Sequence, residues 1–201
     1  MPERIGTLDF VEVQKLEIDL RRQKLAELRS ENNLPFCPLP EGNMHVMLLD
    51  NKFYGNLLEA IEEDAKVEQT AEHEIGHALV AKALGWEVQS MTVVARGNTL
   101  GMTITMPTNP MSFENWLYQS AAISLGGGIA AEMANHKAHG CGSDMAYATA
   151  LANLAVSRGF STNTGQFLSK AKNLAKSALS GYGVGIIRSS AKNLFAAKTV
   201  A

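Results

Sequence analysis

The sequence predicts an α+β fold that is mostly helical and carries one small β-hairpin or sheet. Three observations lead there. Apolar residues recur at helical spacing through residues 10–30, 57–67, 70–84, 113–124, 146–157 and 165–179. One pair of neighbouring runs, 88–95 and 100–106, is instead β-rich, and Arg96-Gly97-Asn98 lies between them as a turn. The chain of 201 residues, 46% hydrophobic and 19% charged, is long enough for a real core and fits one soluble domain.

In chain order, residues 10–30 read as a charged amphipathic helix with Val13, Leu16, Leu20, Leu25 and Leu28 on its apolar stripe. Residues 32–42 hold three prolines, Pro35, Pro38 and Pro40, and should be extended. Val46 to Leu49 suits a short buried strand, and Leu57 to Val67 a helix running towards the next. From Thr70 to Leu84 a helix is expected, with Thr70 as N-cap, Gly85 as stop, and Ile75, Ala78, Leu79 and Leu84 buried. The hairpin follows, and Pro107 and Pro110 end it. Phe113 to Ser124 is helical, and an apolar segment interrupted by Gly126, Gly127 and Gly128 runs on to Met133. Lacking a lysine and a preceding strand, these glycines are better read as close helix packing than as a phosphate loop. Residues 146–157 and 165–179 give two more helices, and the tail after Gly181 is either frayed or packed on a neighbour.

Within the 70–84 helix stand His73-Glu74-Ile75-Gly76-His77, an H-E-x-x-H pattern. Residues four apart stack on one helix face, so two imidazoles can grip one metal ion. Glu74 lies about 100° round the helix from His73, where a carboxylate can reach a metal-bound water as general base without occupying a ligand position. A catalytic zinc takes three protein ligands and keeps one position open. Candidates for the third are His45, His136, His139, Glu132, Cys141 and Asp144; the cluster 132–144 is favoured because it falls where two helices meet, and spacing does not choose within it. The bland alternatives are a surface helix that happens to carry two histidines and, for Asp144, an N-cap of the following helix.

Other classes are disfavoured. A net charge of −2 and 6% aromatics give no basic or stacking surface for nucleic acid. Cys37 and Cys141 are too few for a disulfide framework and fit a reducing compartment. Residues 1–10 contain Glu3 and Asp9 and no apolar run, and the longest apolar stretch, 121–131, is too short for a membrane span. A cytoplasmic protein is expected. No P-loop pattern occurs in the sequence.

Four ordered blocks resemble the peptidase domain of FtsH-type AAA zinc metalloproteases. They are Thr70 to Ala81 around the motif, Val93 to Gly97 with Leu100-Gly101-Met102-Thr103, Gly127-Gly128-Ile129-Ala130-Ala131-Glu132, and Gly142-Ser143-Asp144 with Ala148-Thr149. The resemblance covers roughly residues 70–160. It implies a zincin-like metallopeptidase domain in which His73, His77 and Asp144 bind one Zn2+, Glu74 is the catalytic base, and Glu132 hydrogen-bonds a ligand imidazole. It also implies a polypeptide substrate and a homo-oligomer. Ile129 departs from the family's arginine, and the link from Glu132 to Asp144 is shorter than the family's. The family's ATPase module has no counterpart in these residues, so the expected activity is cleavage of unfolded or extended polypeptide, either unaided or fed by a separate ATPase.

The expected organisation is one peptidase-like domain: residues 1–45 an N-terminal helical arm and extended segment, 46–160 the metallopeptidase core, and 161–201 a C-terminal helical region. The competing readings are a non-catalytic peptidase-like scaffold, a regulatory zinc peptidase that clips a repressor, and an intramembrane zinc peptidase. Substrate-binding residues are not identified by the sequence.

Overall fold

The computed structural model describes residues 20, 23, 51–96, 99–135 and 141–200. Leu20 and Gln23 are helical. The rest of the arm, the proline-rich segment and the expected strand at 46–49 lie outside the described residues. Met1–Lys66 and Val67–Ala201 form two compact units, the division falling inside the first long helix. The second unit holds the H-E-x-x-H motif and every element that follows it.

Helix α1, Asn51–Ala83, is one helix of 33 residues where two were expected. Thr70 is therefore an interior residue and not an N-cap. Val67-Glu68-Gln69 contain no helix breaker, so nothing stops the helix before the motif. Gly85, at φ +76°, ends it as the sequence suggests, because a left-handed residue after the last turn suits glycine. Strands β1 (Trp86–Thr92) and β2 (Met102–Pro107) form the expected antiparallel hairpin, with a bulge between Val88 and Ser90. The fold is mostly helical α+β, as expected.

Helix α2, Phe113–Met133, starts at Ser112, whose hydroxyl accepts the Asn115 N–H, and runs unbroken through the three glycines. Added methyl groups show why glycine is used. A Cβ on Gly76 of α1 would sit 2.5 Å from both Ala130 Cβ and the Gly126 carbonyl, and one on Gly126 would sit 2.8 Å from the Gly76 carbonyl. The two helices cross with backbone against backbone, as the glycine run suggested.

Helix α3 is Gly142–Ser157, and α4, Thr164–Ser180, is capped by Asn163 accepting the Gln166 N–H. Phe167, Ala171, Ala175 and Leu179 are buried at four-residue spacing, the apolar stripe along which α4 packs on α2. The tail after Gly181 is helical, within the region 161–201 expected to be so, and its end pairs into the sheet. It forms α5 (Gly183–Ala197), burying Ile187, Ala191 and Leu194, and then β3 (Thr199–Val200), which pairs with Met91 and Thr92 of β1.

The sheet order is β2-β1-β3, so among the described residues β2 is an edge strand. Its residues alternate. Met102, Ile104 and Met106 are exposed, while Thr103, Thr105 and Pro107 are half-buried. No helix among the described residues is long and apolar enough to cross a membrane.

Candidate metal centre

The candidate metal-binding side chains come from two helices, α1 and α3, beside the α1–α2 crossing just described. Residues of α1 between Ala71 and Ala81 are all buried, including Glu72, His73, Glu74 and His77. His73 and His77 stack edge-to-face with ring centroids 4.6 Å apart. Their Nε2 atoms are 2.9 Å apart, and Asp144 Oδ2 of α3 lies 2.9 Å from His73 Nε2 and 3.5 Å from His77 Nε2. Three donor atoms from residues up to 71 apart in sequence thus form one small triangle.

The triangle fits a zinc ion. Ligands at about 2.0–2.1 Å in a tetrahedron would stand ~3.3 Å from one another, close to the edges seen. The donor set, two imidazoles and a carboxylate, is one that zinc takes, and it leaves one tetrahedral position for solvent. One carboxylate oxygen of Glu74 lies within 4.8 Å of a ring nitrogen of each histidine, near enough for a single water to bridge the gap.

Each imidazole is also held from behind. His77 Nδ1 is 2.7 Å from the Ile123 carbonyl of α2, so Nδ1 carries the proton and Nε2 keeps its lone pair for a metal. His73 Nδ1 faces Cys141 Sγ at 3.9 Å. Glu132, expected from the resemblance to hydrogen-bond an imidazole, is exposed on the last turn of α2, and the two Nδ1 atoms meet Ile123 and Cys141 instead. Its charge does reach Cys141. Burial, then Asp144, then Glu132 push that thiol's pKa up, so it stays a thiol. Cys141 approaches the ring nitrogen of His73 opposite the one turned to His77, and with His73 and Asp144 it forms a second group whose ligand atoms lie within 4.8 Å of one another.

Burial alone would raise the pKa of Asp144. The hydrogen bonds and charges of His73 and His77 outweigh it and hold the carboxyl well below the usual carboxylate range. Burial alone would lower the pKa of His77, but Asp144, Glu74 and the Ile123 carbonyl together raise it. Asp144 stands in the first turn of α3, where a negative charge suits the helix dipole, and Ser124 Oγ of α2 donates to its backbone carbonyl at 2.9 Å. The N-cap position falls to Cys141, which makes no side-chain capping bond. Asp144 is therefore free of the capping duty that was the alternative to ligation.

Glu74 meets β2. Thr103 Oγ1 donates to Glu74 Oε2 at 2.6 Å and lies 3.2 Å from its backbone carbonyl. A Cβ on Gly101 would fall 2.7 Å from Glu74 Oε1, and one on Gly127 2.6 Å from His77 Nε2, so both glycines keep space open at the site. Thr103, Gly127, Ile123 and Ser124 had no assigned part in the site from sequence. Alternation along β2 carries a signal for Thr103, since residues 101, 103 and 105 share a face. A backbone carbonyl such as that of Ile123 leaves no side-chain trace. His45, His136 and His139, the other histidine candidates, lie outside the described residues.

Comparison with known proteins agrees with this geometry. The model of Peptidase family M41 matches residues 60–193, about two thirds of the chain. Among curated relatives, the ATP-dependent zinc metalloprotease FtsH of Magnetococcus marinus is 37% identical over 98 residues, covering 46% of this chain and 15% of that protein. FtsH of Myxococcus xanthus is 36% identical over 94 residues, 44% of this chain and 15% of that protein. FTSH 11 of Arabidopsis thaliana, chloroplastic/mitochondrial, is 34% identical over 104 residues, 48% of this chain and 13% of that protein. The chain thus spans about a seventh of the length of the relatives it matches. With its motif helix, hairpin and donor triangle inside the matched region, the chain belongs to peptidase family M41, a family of zinc metalloproteases.

Proposed function

We propose that this chain is a zinc-dependent metalloendopeptidase that hydrolyses peptide bonds of extended or unfolded polypeptide, with His73, His77 and Asp144 as ligands of one Zn2+ and Glu74 as catalytic base. The observation that carries the reading is the donor triangle with edges of 2.9, 2.9 and 3.5 Å, flanked by a buried carboxylate that is not part of it.

Zinc, when bound, supplies Lewis acidity, lowering the pKa of its water towards about 7 and stabilising the oxyanion. Glu74 is placed to take a proton from the attacking water as the water oxygen adds to the scissile carbonyl carbon. Glu74 then gives the proton to the amine nitrogen as the C–N bond breaks. Asp144 and the two imidazoles hold their positions through both steps, because each is tied to a second element.

The edge strand β2 supports an extended substrate. Its outer side carries no strand among the described residues, and main-chain pairing there would run a peptide past Thr103 and Glu74. Met102, Ile104 and Met106 present apolar side chains along it, and an open groove of about 430 Å³ lined by Pro107, Met111, Phe113 and Trp116 follows at its end. A folded protein cannot enter such an edge, so the substrate arrives already extended or is delivered by an ATPase. A content of two cysteines in 201 residues fits a reducing, cytoplasmic setting. The homo-oligomer implied by resemblance is tested by light scattering of the purified protein.

The decisive assay is cleavage of casein or an unstructured peptide with and without chelator, beside Glu74→Gln. We expect chelator to abolish cleavage, zinc to restore it, and Glu74→Gln to keep zinc while losing at least ~100-fold in kcat. Full turnover in Glu74→Gln would remove that residue as base. A zinc-loaded wild type that cleaves no unstructured polypeptide would leave a scaffold in place of an enzyme.

A further inference from the structure

We propose that Thr103 is a positioning residue for the reaction: its hydroxyl fixes one oxygen of Glu74 so that the proton transfers run through the other. The inference rests on the peptidase reading above and extends it to a residue outside the H-E-x-x-H motif.

The geometry is specific. Glu74 is buried, so its carboxylate needs donors from the protein. Thr103 Oγ1 gives one to Oε2 at 2.6 Å, the short distance of a charge-assisted bond, and the same oxygen lies 3.2 Å from the Glu74 main-chain carbonyl. The hydroxyl has one hydrogen, which the shorter contact to Oε2 takes, so Thr103 ties that carboxylate oxygen to β2.

The other oxygen, Oε1, lies where Gly101 lacks a Cβ: a methyl group there would come within 2.7 Å of it. Gly101 and Thr103 are two residues apart on the hairpin arm and meet the two oxygens separately. One oxygen is tied down and the other is left with room beside it.

The bond suits a proton shuttle. A carboxylate accepts at both oxygens, and a protonated carboxyl still accepts at the oxygen that does not carry the hydrogen. With Oε2 taken by Thr103, the incoming proton goes to Oε1, and the Thr103 bond survives protonation. Glu74 therefore has the same orientation when it removes a proton from water and when it returns one to the leaving nitrogen. Without the hydroxyl the carboxyl can turn, and a misplacement of about 1 Å at a reacting group costs on the order of 100-fold in rate. Valine has the shape of threonine and its strand preference, with a methyl for the hydroxyl, so Thr103→Val removes the donor with little change in packing.

The test compares wild type, Thr103→Ser and Thr103→Val on an unstructured peptide, with zinc content measured for each and a crystal structure of Thr103→Val. We expect equal zinc in all three, Thr103→Ser within about threefold of wild type, and Thr103→Val lower in kcat by roughly 10- to 100-fold with KM unchanged. The crystal structure should show the Glu74 carboxylate rotated. Wild-type kcat in Thr103→Val overturns the proposal. So does a parallel loss of zinc, which would mark a structural role, or an equal defect in Thr103→Ser. If the zinc-loaded wild type cleaves nothing, the peptidase reading fails on its own, and an unmoved Glu74 in the Thr103→Val crystal structure overturns the positioning role independently.

Discussion

Replacing Gly127 by alanine adds one methyl group directly beneath both histidines. Its carbon would stand 2.6 Å from His77 Nε2 and 2.7 Å from His73 Cδ2 and Cε1. Ordinary contact between such atoms is about 3.5 Å, so the rings must retreat by nearly 1 Å. Neither ring is free to do so. His77 is held by the Ile123 carbonyl at 2.7 Å, and His73 by Asp144 at 2.9 Å. A retreat of that size is large beside triangle edges of 2.9 to 3.5 Å, and it exceeds the tolerance of about 0.2 Å on metal–ligand distances. The overpacking costs about 1–3 kcal/mol, against a gain of up to about 1 kcal/mol from alanine's better helix propensity. The folded state survives, while zinc affinity should fall by at least ~100-fold, the upper end of what loss of a ligand's supporting partner costs. Competition titration against a fluorescent zinc chelator reads the affinity, and circular dichroism reads the fold. Gly185→Ala is the matched control, since a Cβ there meets nothing within 4 Å. It should leave zinc binding alone and raise thermal stability slightly. Undiminished zinc affinity in Gly127→Ala would refute the claim that this glycine keeps the metal face open.

Two further outcomes follow from the same triangle. Asp144→Asn removes the charge that both imidazoles face, and zinc affinity measured by the same titration should drop by more than ~100-fold, beyond the loss expected from an outer partner. Unchanged stoichiometry and affinity would place the third ligand elsewhere. The pH dependence of stability should reverse between metal-free and zinc-loaded protein. The folded pKa of His77 is raised above 6.5, so its contribution to the metal-free fold is complete below pH 6.5 and is lost as pH climbs through the raised value. That of Asp144 is lowered from 3.8, so its contribution is complete above pH 3.8 and lost only in stronger acid. In chelator the melting temperature should therefore rise between pH 8 and 6.5, and with zinc it should fall over the same range, because a proton on His77 expels the metal. The acid-induced rise should vanish in Asp144→Asn; its persistence there would detach it from this pair.

The parts of this site that were legible in sequence are those set by local spacing. The H-E-x-x-H pattern places two imidazoles on one helix face whatever the rest of the chain does, and the turn at Arg96-Gly97-Asn98 between β-rich runs marks a hairpin. The proposed third ligand is not local. Asp144 lies 71 residues from His73, and no periodicity connects them; only the resemblance picked Asp144 out of its cluster. The same limit explains Thr103, whose importance comes from β2 folding against α1. Thr70 misled because a good capping residue is also tolerated inside a helix when its neighbours continue the turn. The tail is expected to be helical as a region, without bounds for its helix; Ile187, Ala191 and Leu194 recur at four- and three-residue spacing, and burying them outweighs the propensity cost of its glycines and serines. Strand β3 is two residues long and has no pattern to read.

At the crossing of α1 and α2 the main chains of Gly76 and Gly126 meet, flanked by Ala130 Cβ and Val80 Cγ2, so the span from His77 to the Ile123 carbonyl is gauged largely by peptide against peptide. Side chains can adopt other rotamers and cores can be refilled, but that gauge has no adjustable part. Any methyl group acquired at Gly76 or Gly126 would push the two helices apart and stretch that span.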